Sequence, residues 1–418
     1  MTKRNVLAMV LFLLALGVGD VKADEVAELK QQMAQMQQRL EQLEASQKAQ
    51  EQRVDEKISK AVESKQIEAL PDSLKWAQNI KWSGDFRYRH ESIDDETKSS
   101  NRDRDRIRTR LKMEARVNDE WDAIFRIATG SSDSPTSTNH TLGDSSGDGF
   151  SSRDLWLDWA YADFHPETID GLNIQFGKMG NPFYKVAKNQ LLFDGDVSPE
   201  GIAAKYAWSI DKATTATVTA AGYWVRERDD DADTSLFGIQ GMLKHKLDAD
   251  SHILGGVSYY DFGNIQGKEL SGISSKGNST TGGLFDSDYD LFEAFGEYGF
   301  KMGNMPVAVY GIYVNNIDCI NDEGTAWLIG CKFNKAKKPG SWEASYNYRD
   351  IEADAVVGGL NDSDFIGGGT NGKGHVFGCK YQVAKNIQAG FKYFINTKNA
   401  NSTKDDFNML QADLIFKF

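Results

Sequence analysis

The sequence Leu410-Gln411-Ala412-Asp413-Leu414-Ile415-Phe416-Lys417-Phe418 alternates apolar and polar side chains with a period close to two. In an extended chain, Leu410, Leu414 and Phe416 share one face with Ala412 and Phe418, whereas Gln411, Asp413 and Lys417 share the other. Alternation of this kind, rich in aromatic and branched residues, predicts a β-strand with one apolar and one polar face.

The same pattern recurs from this stretch back to Ile80. It is clear in Gly340–Arg349 and in Asn386–Asn396, where apolar and aromatic residues take every second position. Similar alternation is found near residues 80–90, 104–117, 121–129, 153–164, 172–179, 200–208, 213–226, 234–247, 252–262, 289–300, 305–315, 324–334 and 374–384. The sequence therefore predicts about sixteen strands, and an even number is typical of single-chain bacterial outer-membrane barrels.

The connections between these strands alternate between long and short. The long ones are 91–103, 130–152, 180–199, 227–233, 263–288, 316–323, 351–373 and 397–405, and the short ones are 118–120, 165–171, 209–212, 248–251, 301–304, 335–339 and 385. Long external loops and short periplasmic turns are characteristic of outer-membrane barrels. We therefore expect the long set to form external loops.

The polarity of the two faces favours a membrane barrel over a soluble one. A soluble barrel of this size would turn its apolar face toward an interior too wide for side chains to fill. The fold class predicted is all-β, a transmembrane antiparallel β-barrel of about sixteen strands. Aromatic residues near predicted strand ends fit interface girdles: Trp82, Trp121, Trp159, Tyr161, Trp208, Trp224, Trp327 and Trp342.

The N-terminus has the pattern of a secretory signal peptide. Lys3 and Arg4 precede the apolar run Val6–Val18, and Val21-Lys22-Ala23 offers small residues for cleavage. We predict a signal peptide over 1–23; the alternative is an uncleaved N-terminal anchor.

A helical coiled-coil stem is predicted over 24–70, followed by a linker over 71–79 and the barrel over 80–418. Spacings of three and four residues place the apolar seam at Val26, Leu29, Met33, Met36, Leu40 and Leu43. A single apolar stripe implies self-association of the helix; a solvated single helix or a linker is the alternative.

Composition excludes several classes of protein. The formal net charge of −13 argues against a general nucleic-acid binder, which would have a basic surface. Beyond the N-terminus no apolar run reaches the ~20 residues of a spanning helix. The three cysteines are too few for a disulfide framework and are expected to be unpaired.

Basic residues are concentrated in the predicted second strand, which begins near Arg102. If its apolar residues face lipid, the alternating cations face the lumen, because a cation at the bilayer midplane costs about 2–4 kcal/mol. The predicted basic wall consists of Arg87, Arg89, Arg106, Arg108, Arg110, Lys112, Arg116 and Arg126. A wall of this charge attracts anions.

The third long connection, Asn181 to Pro199, is a candidate constriction loop. The residues expected to form the constriction, with the one that follows the connection, are Tyr184, Lys185, Lys188, Asp194, Asp196 and Glu200. Two roles are open for its carboxylates: they set up a transverse field against the wall, or they pair with arginines and pin the loop.

The chain resembles the "putative porin" type of bacterial outer-membrane porins, similar in style to the phosphate-selective porins O and P. The resemblance is sharpest in Leu192-Phe193-Asp194-Gly195-Asp196-Val197-Ser198-Pro199-Glu200-Gly201. The alternate Leu414, Phe416 and Phe418 look like the signal that the barrel-assembly machinery reads. The resemblance implies homotrimers, formed through barrel and coiled coil, a periplasmic stem, and passive diffusion of small solutes.

The predicted function is an outer-membrane porin for small hydrophilic solutes and ions, with an expected anion preference. Its expected partners are outer-membrane lipid, further copies of itself, the assembly machinery and small solutes; no nucleic acid, cofactor or metal is expected. One alternative is an envelope tether, in which the barrel anchors the coiled coil. A remote alternative is an outer-membrane hydrolase, although no catalytic motif is found: the glycine-rich run Gly367–Lys373 is followed by Gly374, where a phosphate-binding loop has Ser or Thr.

Overall fold

The computed structural model describes Arg39 and residues 72–131, 134–143 and 150–418. Apart from Arg39, which is helical, the predicted signal peptide and coiled coil lie outside the described residues and stay predictions. A 3-10 segment, Asp72–Asn79, precedes the first strand. Within the described part of the chain, no helix is both long and apolar enough to cross a bilayer.

Sixteen long strands form one sheet in the described residues. In chain order they are β1 (Ile80–Asp95), β2 (Arg102–Arg116), β3 (Trp121–Ala128), β4 (Trp156–Phe164), β5 (Leu172–Lys178), β6 (Glu200–Ser209), β7 (Thr214–Arg226), β8 (Thr234–Lys246), β9 (His252–Phe262), β10 (Tyr289–Met302), β11 (Met305–Asn316), β12 (Thr325–Asn334), β13 (Trp342–Ile351), β14 (Gly372–Ala384), β15 (Ile387–Lys398) and β16 (Asp405–Lys417). The two-residue strands are His140–Thr141, beside β2, and the pair Thr280–Thr281 and Leu284–Phe285.

Each long strand pairs antiparallel with its neighbours in sequence, and the sheet closes on itself. β1 pairs with β2 on one side and with β16 on the other, from Asp85 facing Lys417 to Asp95 facing Phe407. Closure leaves no strand edge unpaired, which is what a membrane-spanning sheet requires. The predicted antiparallel barrel of sixteen strands is therefore confirmed.

Side chains alternate between the two faces of the wall. In β8, Phe237 and Ile239 are more than half exposed on the outside, whereas Leu236 and Gln240 are buried inside. Exposed apolar side chains on an outer-membrane barrel face lipid. Trp159 departs from the predicted girdle, because its ring lies inside, 3.3 Å from the guanidinium carbon of Arg126.

The connections alternate in length as predicted. The eight long connections, numbered 1 to 8 here, comprise residues 96–101, 129–155, 179–199, 227–233, 263–288, 317–324, 352–371 and 399–404. All lie at one end of the barrel, the long-connection end. Seven connections, each shorter than the long connections beside it, lie at the other end, the short-turn end.

Long connections 3, 5 and 7 supply much of the buried core, together with inward-facing wall residues. Phe183 and Leu191 come from long connection 3, Ile265 from long connection 5, and Val356 and Phe365 from long connection 7. The expectation of an external loop is therefore wrong for long connection 7, which is buried along most of its length. Its apolar side chains gain from leaving water, which explains the difference.

Candidate functional site

The predicted basic wall lies along three neighbouring strands. Arg87 is opposite Arg108, and Arg89 is opposite Arg106, across the β1–β2 pairing. Cations directly opposite one another destabilise a sheet unless other charges compensate. Burial places most of the predicted set inside the barrel: Arg87, Arg89 and Arg126 are buried, Arg106, Arg108, Arg110 and Lys112 are partly buried, and Arg116 is exposed at the end of β2.

Carboxylates compensate these cations. Asp85 on β1 accepts hydrogen bonds from Arg108 and Arg110, with N···O distances of 2.7 Å. Glu91, fully buried, lies 3.4 Å from Arg89 and 3.7 Å from Arg106. The wall between Asp85 and Glu91 is therefore close to charge balance.

Three further pairs extend this balance. Asp413 on β16 binds Arg89, and Asp158 on β4 binds Arg126. Lys112 pairs with Glu114 of its own strand at 2.7 Å. Arg116 makes no ion pair with any described residue. Sequence reasoning found the cations and missed their acidic partners, although Asp85 and Asp413 share the inward alternation of their strands.

Long connection 3 crosses the interior and packs on strands β8, β9, β10 and β12. Phe183 meets Tyr260 of β9 edge to face, with ring centroids 5.0 Å apart. The main chain of Tyr184 makes two hydrogen bonds to Gln240 of β8, of 2.7 and 3.1 Å. Lys332 of β12 donates to the carbonyl of Ala187. These partners lie on the inward face, so this connection is inside the barrel.

The charged residues of long connection 3 have several kinds of partner. Asp196 lies 3.5 Å from Arg110 and accepts a hydrogen bond from the Thr138 hydroxyl. Lys185 donates to the carbonyl oxygens of Phe193 and Asp194, and burial lowers the pKa of its ammonium group. Glu200, just beyond the connection, pairs with Lys178 at 2.7 Å.

Asp194 is almost completely buried, at 5% exposure. Burial, followed by the nearby carboxylates of Asp362 and Asp196, raises the pKa of Asp194 to about 7. Its oxygens accept hydrogen bonds from the backbone N–H groups of Ser363 and Asp196, which oppose part of that shift. The carboxyl group of Asp194 therefore changes charge near neutral pH.

Two cavities lie on opposite sides of long connection 3. The outer cavity, of about 560 Å³, is bordered by Phe193, Asp196 and hydroxyl groups such as Thr129 and Ser137. The inner cavity, of about 750 Å³, is bordered by Tyr184 and Lys188 and opens toward the short-turn end. Residues of long connection 3 therefore border both cavities.

The inner cavity is rich in lysine. Its lining has ten lysines against four carboxylates: Lys185, Lys188, Lys244, Lys246, Lys301, Lys332, Lys335, Lys337, Lys380 and Lys417, against Asp248, Asp250, Glu297 and Glu343. We call these ten residues the lysine vestibule.

Few of these lysines are neutralised. Lys301 pairs with Asp250, and Lys380 pairs with Glu343 at 3.1 Å. Lys185 and Lys332 donate to backbone carbonyls. Eight of the ten form no ion pair with a described residue: Lys185, Lys188, Lys244, Lys246, Lys332, Lys335, Lys337 and Lys417. Sequence reasoning did not find this vestibule, because its members come from separate strands and turns and only the closed ring brings them together.

No group of three or more His, Cys, Asp or Glu side chains in the described ranges is placed to hold a metal ion. Cys319, Cys331 and Cys379 are free thiols. Gly367, the start of the glycine-rich run, belongs to a short 3-10 turn inside long connection 7.

Comparison with known proteins places these features in context. Residues 93–308 and 292–418 match a protein family described as "Putative porin". The structure is similar to Pseudomonas putida OprB at high pH, with a TM-score of 0.54 and 10% identity over 82% of this chain and 95% of that one. It is also similar to Salmonella typhi OmpF in complex with daunomycin, with a TM-score of 0.50 and 13% identity over 81% and 97% of the two chains. No curated protein sequence matches the chain.

Proposed function

Because the chain belongs to the porin family described as "Putative porin", we propose that it conducts small hydrophilic solutes and ions passively across the outer membrane, with a preference for anions. The closed barrel supports this function, since apolar side chains such as Phe237 and Ile239 face outward, whereas the arginine wall and the lysine vestibule face inward. Small solutes would pass from the outer cavity, over long connection 3, into the inner cavity.

The lysine vestibule is the observation that carries the anion preference. A cavity with many more cations than carboxylates, enclosed by a low-dielectric wall, raises the local concentration of anions. Lys188, Lys244 and Lys337 are typical of its members, because each borders the cavity without a neutralising partner among the described residues.

The arginine wall has a different role in this proposal. Its ion pairs with Asp85, Glu91 and Asp413 leave little net charge to attract a solute. The contact between Arg110 and Asp196 supports the pinning role for the carboxylates of long connection 3. The wall therefore holds the inserted segments in place, and the lysines select by charge.

Reversal potentials in planar bilayers under a KCl gradient test the proposal. Replacing Lys244, Lys246 and Lys337 together by Gln is expected to lower the chloride-to-potassium permeability ratio several-fold. Lys98→Gln, in the exposed long connection 1, is the surface control and should leave the ratio unchanged. An unchanged ratio in the lysine variant would contradict the vestibule idea. If replacing Arg106, Arg108 and Arg110 by Gln changes the permeability ratio more than the lysine variant does, the arginine wall determines the selectivity instead.

The remaining assignments belong to the same proposal. Long connection 3 acts as the constriction between the two cavities. The outward apolar face contacts lipid, the chain assembles as a homotrimer, and the C-terminal strand that ends at Phe418 is read by the barrel-assembly machinery. Cross-linking in detergent and in membranes, with and without residues 24–70, tests the trimer and the contribution of the stem.

A further inference from the structure

Long connection 7, residues 352–371, is among the most buried segments of the described chain. Ala355, Val356 and Phe365 have no exposed surface, and Asp354 has none either. A surface loop would expose such residues to water. The burial shows that this segment belongs to the interior.

The segment reaches both sides of the barrel. On one side, Asp354 accepts a hydrogen bond from the Tyr289 hydroxyl of β10 at 3.0 Å, and its carbonyl accepts one from Asn316 of β11 at 2.9 Å. On the other side, Asp364 accepts one from Arg89 of β1 at 3.2 Å. In a closed ring of sixteen strands, β10 lies nearly opposite β1. Long connection 7 therefore spans the lumen.

Long connection 7 also joins long connection 3 through its main chain. The N–H of Asp194 donates to the carbonyl of Leu360 at 2.7 Å, and the N–H of Asp362 donates to the carbonyl of Gln190 at 3.1 Å. The N–H of Ser363 donates to the Asp194 carboxylate at 2.9 Å. These bonds couple the two inserted segments.

Buried charges fix the segment in place. Arg349 of β13 pairs with Asp362 at 2.7 Å, and its guanidinium lies 4.6 Å from the centre of the Phe365 ring. Arg89 and other nearby cations keep the pKa of the Asp364 carboxyl low, although burial alone would raise it. Separating a buried ion pair is costly, so the segment is an integral part of the lumen.

We propose that long connection 7 is a second size-selecting element of the pore, on the outer side of long connection 3. It narrows the long-connection end, and together with long connection 3 it sets the largest solute that can pass. The proposal rests on the porin function. It adds long connection 7 to the segments that limit solute size, whereas a single constriction would involve long connection 3 alone.

The test is a variant in which residues 353–370 are replaced by a short Gly-Ser linker. Its single-channel conductance is expected to rise at least about twofold, since conductance follows the width of the narrowest passage. Proteoliposomes carrying it should swell in raffinose and stachyose at rates that the wild type reaches only with glucose. A variant lacking residues 98–101 of the exposed long connection 1 is the control for loop shortening and should behave as wild type.

A second variant avoids the large deletion. Arg349→Gln removes the partner of Asp362. Its single-channel conductance and current noise should therefore both rise, as in the linker variant. Lys98→Gln is the control. Folded barrels are scored by their resistance to unfolding in cold detergent, and only folded protein is measured. Unchanged conductance and solute limit in both variants would overturn the proposal. A wild type that forms no channel would instead overturn the porin function.

Discussion

Arg89 and Asp413 face each other across the seam where the first strand meets the last. Their side chains form a two-pronged pair, Nε to Oδ1 at 2.7 Å and Nη2 to Oδ2 at 2.9 Å, and Arg89 is only 3% exposed. A planar guanidinium matches a carboxylate in this way, whereas a lysine ammonium provides only a single point of contact. The seam is therefore fixed by charge as well as by main-chain hydrogen bonds.

Breaking this pair should destabilise the barrel. Arg89→Met leaves Asp413, Glu91 and Asp364 without their shared cation, and loss of one partner from a buried pair costs about 3–5 kcal/mol. The melting temperature of the folded barrel in detergent should fall clearly. The double variant Arg89→Met with Asp413→Leu should recover part of the loss; a double variant as unstable as the sum of the two singles would contradict a direct pair.

Gly84 is required by the ring of Phe418. A Cβ atom at Gly84 would lie 2.6 Å from the tip of that ring and closer still to the carbonyl of Arg110. Gly84→Ala should therefore cost about 1–3 kcal/mol through overpacking and lower the yield of folded barrel. Gly241→Ala is the matched control, since a Cβ there meets nothing within 4 Å. Equal yields and melting temperatures for the two variants would show that both the Phe418 ring and the neighbouring strand at Arg110 shift at little cost.

The junction between long connections 3 and 7 should loosen as the pH rises. The pKa of Asp194 is raised to about 7 in the folded protein, so protonation favours the packed junction and this contribution is lost as the pH rises through 7. The neighbouring charges are Asp362 and Asp196, which repel the carboxylate, and Lys185 and Lys276, which attract it. Open-channel noise should be greater at pH ~8.5 than at pH ~5.5.

Asp194→Asn removes this titration and provides the comparison. Noise in the variant should no longer change with pH across the same range. The control is Asp229→Asn, which lies on the exposed long connection 4. If the noise of the variant still depends on pH as in the wild type, a group other than Asp194 is responsible for the titration.

Gln240 should hold long connection 3 against the wall. It is 2% exposed and bonds both the N–H and the carbonyl of Tyr184. Gln240→Leu deletes both bonds, and leaving buried backbone groups unpaired costs about 1–3 kcal/mol each. Brief transitions between conductance levels should become frequent in single-channel records. Gln266→Leu, on the exposed part of long connection 5, should leave the records as in wild type.

Much of the barrel could be predicted from the sequence, because each strand carries its own period-two pattern. The predicted stretch 213–226 and the observed β7, Thr214–Arg226, differ by a single residue. The same alternation assigns Arg87 and Arg89 to the inward face, and both side chains are buried. Local alternation is sufficient here, since lipid and lumen impose opposite polarity on the two faces.

What could not be predicted depends on pairing across the lumen. The run Ala355-Val356-Val357 in long connection 7 is apolar, and that was a signal against an external loop. The partners of this connection, such as Tyr289 for Asp354 and Arg89 for Asp364, are distant in sequence and are fixed only when the ring closes. The same holds for the lysine vestibule, whose members are contributed by strands on several parts of the ring.

The uneven distribution of lysines along the barrel axis has an electrical consequence. One mouth is strongly cationic, whereas arginines nearer the long-connection end, such as Arg89 and Arg106, are paired with Asp413 and Glu91. Mobile anions accumulate at the cationic mouth under one voltage polarity and are depleted from it under the other, so the channel should rectify. The sign of that rectification would report which way each molecule is oriented in an artificial bilayer.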